Sequence, residues 1–186
     1  MPPKAVITKD MIFDAAFELV REQGLEILTA RSIAQKLNCS TQPIYSMYEN
    51  MERVKEDVFS RAVDFALTCM EQYEDEKNEP AMNLAVGCLL FARDERQLFK
   101  ALFLSDYSSG YFKSHKDKFH DELYAAFLKL DNRLSRIEAE KAQKMFRKPT
   151  AYWLGIATMI HLNILEVDIS EAIEMLAEMY GALTLN

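Results

Sequence analysis

Residues 29–48 read TARSIAQKLNCSTQPIYSMY, and their spacing predicts two short helices around a tight turn. Thr29 opens the first, because a Thr oxygen can accept from an unpaired N–H of the first turn. That helix covers Ala30 to about Leu37 and turns Ile33, Ala34 and Leu37 inward at helical spacing. Asn38 and Cys39 form the turn, and Asn tolerates the left-handed backbone that a sharp reversal needs. Ser40 caps the second helix, about Thr41 to Tyr48, which buries Ile44 and has Tyr48 as a second candidate for burial. Pro43 is tolerated in its first turn, where a missing N–H costs no helical bond. Upstream, Thr8 and Gly24 bracket a helix from Lys9 to Gln23. Its Ile12, Ala15, Ala16, Leu19 and Val20 share one face and supply the third wall of a small core.

A helix, a turn and a second helix packed on a third element is the geometry that puts a recognition helix into the major groove, with its first residues at base edges. Here those residues are Ser40, Thr41, Gln42 and Pro43. A Gln amide can pair with adenine N6 and N7, and hydroxyls reach base edges or phosphates. Tyr45, Ser46 and Tyr48 add hydroxyls suited to phosphate oxygens. Thr29, Arg31 and Met47 complete the candidate DNA-contacting set.

Residues 8–61 resemble the N-terminal domain of the tetracycline-repressor (TetR) family. The resemblance rests on an Ala-rich helix ending in Gly, IFDAAFELVREQG, then Thr29, the pair Ile33-Ala34, the turn Ser40-Thr41, and Tyr45 with Tyr48 three apart. It implies a cytoplasmic, homodimeric repressor whose C-terminal domain binds a small molecule. Three positions depart from the family pattern. Met51 stands where a Lys often grips a phosphate, Asn38 replaces a common Gly, and Met47 replaces a common His. Arg31, Lys36, Arg53 and Lys55 are the candidates to restore the positive charge.

The 186 residues carry a net charge of −7, with 49% hydrophobic residues and only 5 Gly and 5 Pro. That composition supports a packed core and long helices with short loops. Residues 1–62 hold 8 Lys/Arg against 9 Asp/Glu, so phosphate binding must come from a local face. Three widely spaced cysteines are no disulfide framework and fit a reducing cytoplasm. No apolar run is long enough to span a membrane. His115, His120 and His161 form no metal pattern, and there is no phosphate loop or nucleophile elbow. The expectation is no enzyme, no cofactor and no metal.

The remaining chain reads as helices: about Met51–Glu76, Pro80–Asp94, Arg96–Leu104, Lys113–Leu130, Arg133–Leu165 with a break at Pro149, and Ser170–Leu183 capped by Ser170. SDYSSG, residues 105–110, reads as a loop. The expected fold is all-α, with a helix-turn-helix domain over residues 1–50 and a helical regulatory and dimerisation domain over 51–186. The stripe Phe91, Phe99, Phe103, Tyr107, Phe127 and Trp153 is core first. With the resemblance it becomes the candidate pocket for an effector, since bundles bind ligands between helices. The segment TAYWLGIATMIHLNIL is apolar nearly all round, more than one partner face requires. Trp153, Ile156, Ile160, Ile164, Ile173, Leu176 and Tyr180 are the candidate dimer contacts. Expected partners are a double-stranded DNA operator, a small-molecule effector and a second copy of the chain. The competing reading is a helical interaction protein that has lost DNA binding, favoured by Met51 and the non-basic N-terminal third.

Overall fold

The Thr8 hydroxyl accepts from the Met11 N–H at 3.2 Å, and from that cap α1 runs over Lys9–Gln23. The structure, a computed structural model, describes residues 6–78, 80–114, 120, 121, 123–125, 128 and 136–184. Gly24 ends α1 at φ 94° and ψ 168°, a backbone region open essentially to glycine alone. A 3-10 turn, Leu25–Ile27, leads to α2, Ala30–Lys36, then α3, Gln42–Met47, and α4, Met51–Glu71. Further on come α5, Pro80–Asp94, α6, Arg96–Phe99, a π-helical segment Lys100–Leu104, and α7, Asp106–Ser114. The last two are α8, Ala139–His161, and α9, Ile169–Thr184. All regular structure among the described residues is helical.

The chain divides into two compact units, Met1–Asp64 with Gln97–Tyr111, and Phe65–Arg96 with Phe112–Asn186. The division falls inside α4 and not at residue 51. The first half of α4 belongs to the core of the first unit, where Val54, Val58, Phe59 and Ala62 are buried. Arg61 ties it to α1, its guanidinium bonded to Asp14 and stacked 4.4 Å from the Phe17 ring centre. Phe59 packs against Tyr107 and Tyr111, with ring centres 5.4 and 4.4 Å away. Those tyrosines bring α7 up to Tyr111 into the same unit as α1, α2 and α3.

In the second unit α5 packs on α8 and α9, and α8 on α9. Leu89, Phe91, Trp153, Ile156, Ala172 and Leu176 are buried there. Gly87 marks a close crossing. A Cβ built on it would stand 2.1 Å from the Met70 carbonyl oxygen.

Four sequence expectations need correction. Residues 106–110 are the first turns of α7, not loop. Ser105 accepts from the Ser108 N–H at 3.2 Å and so caps that helix, while the Ser108 and Ser109 hydroxyls donate to carbonyls three residues back. Pro149 does not interrupt α8. It falls on the buried face with Ala142, Phe146 and Trp153, and the Thr150 hydroxyl donates to the Phe146 carbonyl at 2.9 Å, beside the backbone bond that proline removes. Asp168, not Ser170, caps α9, accepting from the Glu171 N–H at 2.9 Å. α4 ends at Glu71, before the acidic run whose charges disfavour a helix C-terminus. Phe127 and His115 lie outside the described residues.

Candidate nucleic-acid interface

The α2–α3 pair is built by local hydrogen bonds. Thr29 Oγ1 accepts from the Ser32 N–H at 3.0 Å, and Ser32 Oγ accepts from the Thr29 N–H at 3.0 Å. Ser32 Oγ also donates to the Ile27 carbonyl at 2.7 Å, which fixes the entry to α2. At its far end Asn38 adopts φ 50°, and the Cys39 N–H closes on the Ala34 carbonyl at 2.9 Å. The chain is thereby turned into α3.

α3 is held from behind by Ile44 and Tyr48, both buried. Of the two places open to Tyr48, burial and the phosphate-facing surface, it takes the first. Its ring lies under the Lys9 ammonium at 4.8 Å, and its hydroxyl bonds Asp57. Burial, together with the Asp57 and Asp10 charges, pushes that hydroxyl up to about 12. Tyr48 is therefore an anchor between α1, α3 and α4, and not a side chain open to phosphate.

The solvent face of α3 carries the other candidates. Ser40, Thr41 and Gln42 are exposed. Thr41 sits at the cap position with helical dihedrals and makes no side-chain cap bond, so the expected Ser40 cap is not formed and both hydroxyls stay outward. Tyr45 is 58% exposed and Met47 is exposed beside it. Ser46 is exposed, but its hydroxyl donates to the Gln42 carbonyl at 2.9 Å. Pro43 is half-buried in the first turn.

The cations nearby are mostly matched by acids. Lys36 pairs with Glu22 at 3.2 Å, Arg53 with Glu56, and Lys55 with Glu52 at 2.8 Å. Arg31, exposed on α2, has no ion pair with a described residue. Asn50 Oδ1 accepts from the Arg53 N–H at 3.0 Å and caps α4, while Met51 is half-buried at its start. Exposed ion pairs of this kind are weak, and a phosphate can compete for Arg53 or Lys36.

Comparison with solved structures covers nearly the whole chain. A TetR-like transcriptional regulator from Rhodococcus sp. RHA1 superposes with a TM-score of 0.63 over 95% of this chain and 94% of its own, at 16% identity. A TetR family member from Streptomyces coelicolor A3 gives 0.55 over 91% and 95%, also at 16%. The fold is that of the TetR family. The multidrug binding protein EbrR, solved with imidazole, shares it at a TM-score of 0.55 over 96% of both chains and 16% identity. No family model matches the sequence, and no curated protein matches it.

Within this TetR fold the candidate pocket residues are divided between the two units. Phe91 and Trp153 are buried in the second unit, whereas Phe99 and Phe103 stack on each other in the first, with ring centres 5.0 Å apart. Tyr107 lines an open cleft of about 540 Å³ with Leu25, Leu28, Thr29, Lys55 and Leu104. The candidate dimer residues also separate. Trp153, Ile156 and Leu176 are buried in the core of their own unit, because their spacing puts them on the inward faces of α8 and α9. Ile160 and Ile173 are half-buried, and Ile164 is exposed. Tyr180 lies on α9, one turn beyond Leu176. Met159 and Leu162, absent from the sequence-based set, join Ile164 on the exposed end of α8 and its following turn. Among the described residues no helix is long and apolar enough to cross a membrane, and no cluster of His, Cys, Asp or Glu could hold a metal.

Proposed function

We propose that this chain is a sequence-specific DNA-binding transcriptional regulator: a cytoplasmic homodimeric repressor released from its operator by a small molecule. One observation carries the reading. Ser40, Thr41 and Gln42 stand exposed at the start of a short helix that Ile44 and Tyr48 hold rigidly from behind. That is what a helix must offer to read base edges in the major groove. The motif resemblance of residues 8–61 supports the same reading. A symmetric pair of such helices would meet successive major grooves about 34 Å apart. An effector that favours another spacing would lower DNA affinity, with a coupling of about 1–3 kcal/mol. A fold neighbour named as a multidrug binding protein supports the small-molecule part. In this scheme Thr29, Arg31 and Tyr45 grip phosphates while Thr41 and Gln42 read bases.

The test is selection of bound sequences from random DNA, followed by affinity measurements across salt concentration. Gln42→Ala and Thr41→Ala are each expected to relax the selected sequence at one position and to cost about 1–3 kcal/mol on the wild-type site. Tyr45→Phe is expected to weaken all sites alike. An unchanged sequence preference for Gln42→Ala removes it from the reading set, and no salt-dependent binding at all favours the interaction-protein reading.

The start of α4 gives a second test. Asn50 already occupies one N–H there, and position 51 carries no charge. Met51→Lys is expected to strengthen binding and to change the log–log salt slope by about −0.9, one added phosphate contact. An unchanged slope means that the start of α4 faces no phosphate.

A further inference from the structure

The turn between α8 and α9 closes one side of a cavity of about 130 Å³ within the second unit. Leu89 and Ala92 of α5, Ala157 and Ile160 of α8, with Val167 and Ile169, make its lining mainly apolar. The polar side chains on the cavity are Arg93, Arg96 and His161. The two arginines differ in what they have left to offer. Arg93 gives Nε to Asp94 Oδ1 at 2.6 Å and Nη2 to Oδ2 at 2.8 Å, so one carboxylate already matches its charge. Arg96 donates Nη2 to the His161 carbonyl at 3.2 Å. That bond holds the guanidinium beside the cavity and leaves most of its five N–H donors for another acceptor.

Such a site selects on two counts. The apolar lining favours a hydrocarbon body, and its size admits a small one: an engineered cavity of ~150 Å³ takes benzene. The single under-used guanidinium favours one planar anion bound edge-on, the geometry in which Arg meets a carboxylate. A phosphate, strongly hydrated and without a hydrocarbon body, would gain nothing from the apolar lining that makes up most of the cavity wall. The start of α9 at Ile169 adds positive partial charge on the same side, in part taken up by Asp168. We infer that this cavity binds a small apolar monocarboxylate, its body against Ala92, Ala157 and Ile160 and its carboxylate on Arg96. The inference does not depend on DNA reading, since all the lining residues belong to the second unit.

Titration calorimetry on the full chain tests it with isobutyrate and benzoate against isobutyramide and benzamide. These pairs match in shape and differ in charge. The expected result is saturable one-to-one binding of a carboxylate, about tenfold or more tighter than its amide. Arg96→Gln is expected to erase that preference with the circular dichroism spectrum and melting temperature unchanged, since Arg96 is exposed. Three outcomes overturn the inference: no saturable binding of either acid, equal binding of acid and amide, or unaltered acid binding by Arg96→Gln. DNA affinity enters none of these measurements, so failure of the regulator reading is scored separately.

Discussion

Replacing Gly87 with alanine is expected to lower the melting temperature of the chain by roughly 6–12 °C, from a loss of about 3 kcal/mol. The sign is what makes the experiment informative. In an ordinary helix interior Gly→Ala is stabilising by about 1 kcal/mol. At Gly87 the added Cβ would meet the Met70 carbonyl oxygen at 2.1 Å, its carbon at 2.9 Å and its Cα at 3.0 Å. These are backbone atoms of α4, so no side chain can rotate away. The crossing of α4 and α5 has to open, and the apolar packing of Met70 and its neighbours loosens with it. Gly110→Ala is the control. It also lies inside a helix, α7, with nothing within 4 Å of the place its methyl group would take, and is expected to raise stability slightly. A thermal melt of the two variants decides it. Equal, small changes would mean that the Gly87 crossing is looser than its geometry indicates.

Gly87 illustrates what sequence alone does not carry. The apolar spacing in α1, the Thr8 and Thr29 caps and the bounds of α5 were readable because each depends on residues within a few positions of one another. Asn38 was readable for the same reason, as a local demand on φ. A backbone crossing between α4 and α5 depends on residues far apart along the chain, and Gly87 looks like any helical glycine until α4 is placed against it.

Tyr48 shows the same limit at the candidate site. Its hydroxyl and its register on α3 suit either burial or a phosphate contact. The competing partner, Asp57, lies one helix further on, and local pattern does not reveal that it faces inward. The segment 105–110 failed for another reason. Ser, Asp and Gly serve both loops and helix starts, and Ser105 caps a helix whose Tyr107 and Tyr111 pack on Phe59. The i, i+4 spacing of those tyrosines was the available signal. Pro149 misled because the rule against proline in helices weighs the lost bond and not the apolar surface that proline itself brings to a buried face.

The other large effect is expected at the end of α8, where Leu162→Glu combined with Ile164→Glu should give a folded monomer whose DNA affinity is roughly 100- to 10,000-fold lower. Leu162 is 54% and Ile164 65% exposed, so the two charges cost the isolated chain little. Their orientation is fixed by backbone bonds. The Leu162 N–H reaches the Thr158 carbonyl at 2.9 Å, the Ile164 N–H reaches Met159 at 2.8 Å, and Asn163 turns between them at φ 55°. A tight turn that holds two large apolar side chains outward beside exposed Met159 makes a patch suited to a partner surface. In a dimer that buries this patch the glutamates would lose their hydration, at a cost of several kcal/mol wherever no counter-charge meets them. In the proposed homodimer, loss of the second subunit would turn two linked half-site contacts into one, which is the source of the large expected fall in affinity. Ile156→Glu supplies the contrast. Ile156 is buried in its own unit, so that variant is expected to unfold and not to dissociate. Light scattering with size exclusion, a thermal melt and DNA titration on the three proteins separate these outcomes. A double variant that stays dimeric moves the interface away from the end of α8. One that is monomeric yet binds DNA with full affinity removes the need for paired recognition helices, and with it the spacing mechanism for effector release.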